Sequence, residues 1–375
     1  MVLDDKGFVV ELIETKGKLK EQAGLEFYSG IVVPGFVNTH CHIEFSHLKN
    51  KIEKGMGLGN FIGGINKLRN AEELEIFKAA VRADREMQKN GIVAVGDVSN
   101  SSITLKVKKQ SPLNYHTFIE VFGFLPERAN RAFDYAKTVF EEFKKNSLPA
   151  SVVPHSPYSV SAPLFELIKN HASAHNSILS IHNQESPGEN EFYQTGEGEI
   201  VSHLKNNIGL DISGWMPTGK NSLPSILKKL PLKNKLLLVH NTFTSDEDII
   251  ALKKHRPLEG VFFVLCPNAN LYITKSLPPV NLFHQHKLTI CLGTDSLASN
   301  SQLSILSEMM VVQNNFKLNF EELLLWATLN GAKALGMEHL LGSFEPGKRS
   351  GVNLLTKINF KDFSFTSETH VKRLV

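Results

Sequence analysis

Two histidines separated by one residue, His40 and His42, are the first histidines in the chain, and together they could hold a metal ion. They follow an apolar, β-branched run at residues 31–38, and this composition predicts a buried strand. Side chains two apart on a strand point the same way, so both imidazoles project together while Cys41 projects to the opposite face. Because imidazole nitrogen is a common zinc ligand, this pair predicts half of a metal site.

Further ionisable side chains lie where other predicted strands end. Eight strands are predicted at residues 32–38, 91–97, 115–122, 150–154, 178–182, 235–240, 260–266 and 288–293. The residues at or near their carboxyl ends are His40 and His42, Asp97, Glu120, His155, His182, His240, Cys266-Pro267-Asn268 and Asp295. One such histidine is usually a hydrogen-bonded structural residue. The occurrence of ionisable residues at the ends of so many apolar strands favours a partner that they share, because an unpaired buried charge costs several kcal/mol. A metal ion is the simplest such partner.

The spacing of His182 and Glu185 predicts two different roles. His182 ends its strand and can bind metal, whereas Glu185 lies three residues later in the loop. Hydrolysis assisted by a metal needs this division, because the cation lowers the pKa of water and a nearby carboxylate carries the proton. Glu185 as an ordinary polar loop residue is the alternative.

The elements that position these residues alternate between strand and helix. Helical patterns at residues 127–146 and 163–175 separate nearly all-apolar strands, which predicts an α/β fold with a parallel sheet covered on both faces. Eight βα units favour a (β/α)₈ TIM barrel, with an open doubly wound sheet as the alternative. Residues 1–33 predict short antiparallel strands.

Composition narrows the class of protein. The 375 residues are 42% hydrophobic and 21% charged, with a net charge of +3 and no long basic block, so nucleic acid and membrane surfaces are not expected partners. The expected partner is a small molecule, and a homodimer stays open. Cys41, Cys266 and Cys291 are predicted to be reduced, buried thiols. Without a signal peptide pattern or a run of about 18 apolar residues, we expect a soluble, cytoplasmic protein.

A glycine-rich stretch at residues 51–64 follows the first of these strands. Its glycines suggest a phosphate-binding loop, but the full GxGxxG order and a following Lys-Ser/Thr are missing. We therefore predict a mobile loop over the pocket, with Phe61 covering a flat substrate ring.

With these residues in view, the chain closely resembles the amidohydrolase superfamily, in its cytosine deaminase-like and adenosine-type deaminase branch. The stretches that carry the resemblance run almost from end to end: PGFVNTHCHIEFSH, VPHSPYSVS, HNQES, LLLVHNTFT, CPNANLYI and GTDSLASNSQLS. The resemblance implies a (β/α)₈ barrel at residues 34–340. It also implies a small β-sandwich built from residues 1–33 and 341–375, which looks reduced here.

The resemblance also implies a role for each site residue. It assigns one divalent metal ion, zinc in the first place and iron or manganese otherwise, to His40, His42, His182 and Asp295. Binuclear relatives carry a bridging lysine where this chain has His155, so one ion is implied and His155 becomes a substrate contact. Glu185 matches the proton shuttle and His240 the residue that polarises the attacking water. Asp295 would also accept the water's proton.

The function that follows is zinc-dependent deamination of an aminated heterocycle, such as a purine-type nucleoside. The nearest subgroup resembles aminofutalosine deaminases or chlorohydrolases. Release of chloride or opening of a cyclic amide on the same site stays an alternative, since only the pocket would differ. A scaffold that has lost its catalytic residues is disfavoured, because the four expected ligands, Glu185 and His240 are all present.

Overall fold

Parallel strands alternate with helices through most of the chain, for which the computed structural model describes residues 1–17 and 24–375. The strands are β1 Val2–Leu3, β2 Val9–Glu11, β3 Ile31–Pro34, β4 Phe36–Cys41, β5 Ile92–Ser99, β6 Asn114–Val121, β7 Ala150–Pro154, β8 Leu179–Asn183, β9 Leu236–His240, β10 Val261–Leu265, β11 Ile290–Leu292, β12 Val352–Thr356 and β13 His370–Arg373.

The α-helices lie mainly between the parallel strands. They are α1 Leu58–Leu68, α2 Glu73–Lys89, α3 Leu105–Gln110, α4 Ala129–Lys145, α5 Ala162–His175, α6 Pro187–Thr195, α7 Glu199–Ser202, α8 Ser222–Ile226, α9 Asp246–His255, α10 Pro267–Ile273, α11 Val280–Gln285, α12 Ile305–Asn315, α13 Phe320–Ala327 and α14 Leu329–Ala334. The helices predicted at 127–146 and 163–175 correspond to α4 and α5.

Eight parallel strands form two four-stranded sheets, ordered β4-β5-β6-β7 and β8-β9-β10-β11. Their residues are almost all buried, which explains the continuous apolar runs in the sequence. The facing edges of the two sheets make backbone contacts. The N–H of His182 donates to the carbonyl of His155 (2.9 Å), and at the other edge Thr294 N–H donates to the carbonyl of His40 (3.0 Å). The predicted mixed α/β fold with parallel sheets is therefore confirmed.

The strand predicted at residues 32–38 is divided in the structure at Gly35. Residues before it form β3, which pairs antiparallel with β12, and residues after it form β4, which pairs parallel with β5. A Cβ atom at Gly35 would lie 2.2 Å from Val93 Cγ1 and 2.7 Å from the carbonyl of Ser350, so a larger residue cannot pack here. The first parallel strand consequently starts later than predicted and extends through His40.

Short antiparallel strands are present near both ends of the described chain. β1 pairs with β2, and a three-stranded sheet has the order β13-β12-β3. This agrees with the short antiparallel strands predicted within residues 1–33, of which residues 18–23 lie outside the described part.

The prediction of a loop over residues 51–64 is wrong for its second half, because α1 begins at Leu58. Glycine disfavours helix by about 1 kcal/mol relative to alanine, yet three glycines lie in α1. Tertiary packing explains them. A Cβ at Gly63 would lie 3.2 Å from the Asn207 side chain, and one at Gly64 would lie 3.4 Å from Ile52. Close contact with neighbouring elements, rather than backbone freedom, is the reason for these small residues.

Two features of the whole chain complete the fold. Cys41, Cys266 and Cys291 are buried and free, as predicted. Within residues 1–17 and 24–375, none of the helices combines the length and the apolar character that crossing a membrane requires.

Candidate metal centre and active site

The two histidines of the HxH pair face each other at the end of β4. Their Nε2 atoms are 3.2 Å apart, and both residues are buried. Asp295, which follows β11, brings Oδ1 within 3.7 Å of His40 Nε2 and 3.5 Å of His42 Nε2. The Ser299 hydroxyl donates to the other oxygen of this carboxylate (2.5 Å), which orients Oδ1 toward the imidazoles.

His182 at the end of β8 stands beside this group. Its ring centroid is 4.9 Å from that of His40 and 5.4 Å from that of His240. His182 Nδ1 lies 2.9 Å from the carbonyl of His155 and 3.3 Å from Glu120 Oε1. Acceptors at Nδ1 hold the proton there, so Nε2 keeps its lone pair for a metal ion.

Glu185 and His240 form the second part of the site. Glu185 Oε1 lies 3.6 Å from His240 Nε2, and both side chains are buried. The Asn270 amide nitrogen lies 3.2 Å from the other ring nitrogen of His240, Nδ1. Four strand ends, those of β4, β8, β9 and β11, therefore bring together the ionisable groups that the sequence distributes over more than two hundred residues, and α10 adds the Asn270 amide.

The backbone turns sharply where these strands end. Gln184, His240, Asn241 and Asp295 have positive φ angles of 48°, 73°, 56° and 55°. A left-handed conformation costs a residue with a side chain roughly 1 to 2 kcal/mol, and such strain concentrates at functional sites. Of these four residues, His240 and Asp295 line the cavity, whereas the Gln184 and Asn241 side chains bond to neighbouring polar groups.

Burial separates the pKa values of the acidic and basic groups. Burial lowers the pKa of His240 to about 3 and also lowers the pKa of His182, so both imidazoles are neutral near pH 7. Burial and the nearby Asp295 carboxylate raise the pKa of Glu185 well above its usual range. A hydrogen bond from His40 and the neighbouring imidazoles outweigh burial at Asp295 and lower its pKa. The pKa of Glu185 is thus raised while that of Asp295 is lowered, and two neighbouring carboxyl groups with such different pKa values suit proton transfer.

The donor set fits a metal ion. In the part of the chain that the structure describes, three groups of side chains place one potential ligand atom each within 4.8 Å of one another. They are His40, His42 and Asp295; His40, His182 and His240; and Glu120, His155 and His182. Within the described residues, the buried Nε2 of His240 has no hydrogen-bond partner, so it is open to a group bound in the adjoining cavity. Imidazole nitrogens and a carboxylate oxygen that converge on one point are the ligands that zinc prefers.

A cavity of about 1070 Å³ opens over this group of side chains. Its lining includes the site residues His42, His182, Glu185, His240 and Asp295. Most of the remaining wall is apolar, and both predicted substrate contacts, His155 and Phe61, belong to it. An apolar chamber with a few polar groups at one end is typical of a small-molecule site.

Comparison with known proteins agrees with this geometry. Residues 31–370 match the model of the amidohydrolase family. The chain belongs to the amidohydrolase family.

Its relatives within that family include deaminases. The adenosine deaminase of Helicobacter pylori is 28% identical over 337 residues, which are 88% of this chain and 79% of that protein. The aminodeoxyfutalosine deaminase of Nitratiruptor sp. is 26% identical, over 95% of this chain and 86% of that protein. The crystal structure of H. pylori aminofutalosine deaminase in complex with methylthio-coformycin is similar with a TM-score of 0.76 and 26% identity, covering 89% of this chain and 80% of that one.

Asp97 is one of the predicted strand-end residues that lie outside the groups of possible ligands of this amidohydrolase. Its Oδ2 is 2.6 Å from Lys108 Nζ, with both side chains fully buried. Its Oδ1 accepts a hydrogen bond from the N–H of Ile43 (2.8 Å), next to His42. A buried lysine from α3 therefore supplies the counter-charge of Asp97.

Sequence reasoning missed two residues that orient the site. Ser299 binds Asp295, and Asn270 contacts His240. Both lie inside stretches that carry the family resemblance, GTDSLASNS and CPNANLYI. Neither residue type is distinctive of catalysis, so only their contacts reveal the role.

Proposed function

We propose that this protein is a metal-dependent deaminase that releases ammonia from an aminated heterocycle of the purine nucleoside type. The observation that carries the proposal is the convergence of four ligand-type side chains and the Glu185–His240 pair at one end of a large apolar cavity. Family membership and deaminase relatives over most of the chain support the reaction.

We assign the metal ion to His40, His42, His182 and Asp295. Three imidazoles and one carboxylate suit zinc, with iron or manganese as substitutes. A divalent cation bound there would supply Lewis-acid activation of water. The chain itself orients the ligands, through the His155 carbonyl at His182 and the Ser299 hydroxyl at Asp295.

The proton transfers are assigned to Glu185, His240 and Asp295. Asp295 has a lowered pKa, stays ionised and is suited to accept the proton of water. Glu185 has a raised pKa, so it can hold a proton near neutral pH and deliver it to the departing amine. His240 is neutral and buried, and it stabilises charge that develops on the attacking oxygen.

The substrate would lie between the ionisable end of the cavity and its apolar wall. Phe61 from α1 and the His155 ring line the space that a flat heterocycle would occupy. His155 donates or accepts a hydrogen bond at Ser159 Oγ (2.8 Å) through Nδ1, which leaves Nε2 for a ring nitrogen of the substrate.

The architecture that we propose for the whole chain is a single (β/α)₈ barrel at residues 34–340 with a small β-domain at 1–33 and 341–375. Backbone hydrogen bonds at both edges of the two parallel sheets support closure of the barrel. Pairing of β3 with β12 supports a domain that combines both ends of the chain.

A screen for ammonia release tests the function. The purified, zinc-loaded protein is incubated with aminated purine nucleosides, pteridines and pyrimidines, and Glu185→Gln serves as the control for contaminating deaminase. We expect release of one ammonia per substrate consumed, with purine nucleosides fastest. Chlorinated rings and cyclic amides are assayed in parallel, and turnover of these without any ammonia release from the aminated substrates, or no turnover at all, would contradict deamination.

A further inference from the structure

Glu189 is a fully buried carboxylate beside the proposed proton shuttle. It belongs to α6, has no exposed surface, and its Oε1 accepts two hydrogen bonds. One comes from the backbone N–H of Gln184 (2.9 Å) and the other from the Ser222 hydroxyl (2.5 Å). The carboxylate therefore joins the first turn of α6, the start of α8 and the residue that immediately precedes Glu185.

This contact differs from ordinary helix capping. Ser186 is the N-cap of α6, and Glu189 is the third residue of the helix. A glutamate at that position usually bonds to the N–H of the N-cap residue itself. Here it bonds to an N–H two residues earlier, so it holds the segment that connects β8 to α6 and contains Glu185.

The segment needs such support because Gln184 is strained. Its φ is 48°, which is in the left-handed region, and its side chain is also held from several sides. Gln184 Nε2 donates to Asp248 Oδ2 (2.7 Å), and the Thr244 hydroxyl donates to Gln184 Oε1 (2.7 Å). Because both the backbone and the side chain of Gln184 are held, the position from which Glu185 extends is held as well, and Glu185 Oε1 lies 3.6 Å from His240 Nε2.

An apolar side chain would fill the same space without the cost of burying a carboxylate. Burial raises the pKa of Glu189 to about 7 against the opposing effect of the Ser222 hydroxyl and of the backbone N–H groups of Gln184 and Glu185. Burying a charged group costs several kcal/mol unless its hydrogen bonds compensate. A group of this kind is better explained by a need for exact backbone placement than by stability alone.

We propose that Glu189 is a positioning residue that acts through Glu185: it fixes the backbone at Gln184 so that the Glu185 carboxylate meets His240 and the substrate. This inference rests on the proposed function, in which Glu185 moves a proton. A misplacement of about 1 Å in a catalytic group can reduce turnover about a hundredfold.

A double-mutant cycle with Glu185→Gln tests the proposal. We expect Glu189→Ala to lower kcat roughly 10-fold to 100-fold, with KM within about threefold and one metal ion retained per chain. In the Glu185→Gln background, the same change should lower the residual kcat by less than about twofold, because the group that Glu189 positions is already lost. If the fold-losses in kcat of the two single variants multiply in the double variant, the positioning role is wrong.

Milder variants keep the test decisive if Glu189→Ala folds poorly. Glu189→Gln keeps an oxygen that can accept from Gln184 N–H, so it should restore kcat to within about fivefold of wild type. Ser222→Ala removes one hydrogen bond to the carboxylate and should cause a smaller loss that also vanishes with Glu185→Gln. Glu191→Ala, an exposed glutamate on the same helix, is the matched control and should leave kcat unchanged.

The same measurements separate this inference from the proposed function. Wild-type protein that releases no ammonia overturns both. Wild-type turnover combined with a Glu189→Ala variant whose thermal midpoint falls while its kcat is unchanged would leave the deaminase function standing and refute the positioning role.

Discussion

The side-chain amide nitrogen of Asn270 lies 3.2 Å from Nδ1 of His240, and both residues are buried. An amide N–H donates, so Nδ1 accepts and the ring proton of the neutral imidazole resides on Nε2. That nitrogen faces Glu185 Oε1 at 3.6 Å. Asn270 thereby determines that His240 presents a hydrogen-bond donor on the side of Glu185.

Replacing Asn270 with Ala should therefore reduce catalysis without removing the metal. The ring proton would be free to move to Nδ1, and we expect kcat to fall about 10-fold to 100-fold, in the range for loss of an oriented donor. Steady-state kinetics and metal analysis measure both effects. Asn268→Ala, two residues away in α10 with its amide on Ser307, is the control. Unchanged kcat in Asn270→Ala would contradict this role.

Metal content should be about one divalent ion per chain, because the four proposed ligands converge on one point. His42→Ala should lose the ion, whereas His284→Ala, whose side chain is 61% exposed, should keep it. Elemental analysis of the three purified proteins gives the answer. No metal in wild type, or two ions per chain at equal occupancy, would refute a single centre.

Glu185→Gln should retain the ion and lose turnover by roughly a thousandfold or more, since the amide cannot carry a proton. Its shape is close to that of glutamate, so the thermal midpoint should change little. Metal analysis and ammonia release are measured on the same sample. Loss of the ion would make Glu185 a ligand and reverse the assignment.

Phe61→Ala should weaken both folding and substrate binding. Phe61 is 7% exposed, packs in the hydrophobic core and also lines the cavity. Truncation of a buried phenylalanine costs about 3 to 5 kcal/mol of unfolding free energy. We expect a lower thermal midpoint and a raised KM with metal content unchanged. Leu68→Ala, 39% exposed on the same helix, is the control, and an unchanged KM would remove Phe61 from the substrate site.

Stability should decrease in acid partly because of His116. Burial lowers the pKa of this residue from 6.5 to about 4 in the folded protein. The unfolded chain therefore binds an additional proton between those pH values, so the stabilisation is present above pH 6.5 and is lost as the pH falls toward 4. The slope for one proton is at most about 1.4 kcal/mol per pH unit.

His116→Gln isolates that contribution. Glutamine can still bond to Ser151, whose hydroxyl lies 2.9 Å from His116 Nε2, but it does not titrate. Urea unfolding at several pH values should show a shallower decrease for the variant than for wild type between about pH 6.5 and 4. Equal slopes for the two proteins would show that His116 does not contribute.

Local periodicity was enough to identify several features of this protein. Alternation along a strand predicts His40 and His42 on one side, and the structure places their Nε2 atoms 3.2 Å apart. Apolar runs with ionisable ends indicated eight parallel strands and the edge at which the site lies. These inferences succeed because they depend on interactions between residues close in the chain.

Contacts between distant residues decided the rest. Asp295 meets His40 across 255 positions, and Lys108 from α3 neutralises Asp97, which the apolar strand alone could not reveal. Val93 and Ser350 pack against Gly35, where one predicted strand becomes two strands that belong to different sheets. The glycine-rich segment is helical from Leu58 because its glycines pack against Ile52 and Asn207. The intrinsic preference of a residue for helix or loop differs by about 1 kcal/mol, whereas burial of a side chain in a close-packed interior contributes more to the free energy of unfolding. The tertiary structure therefore determines which local conformation forms.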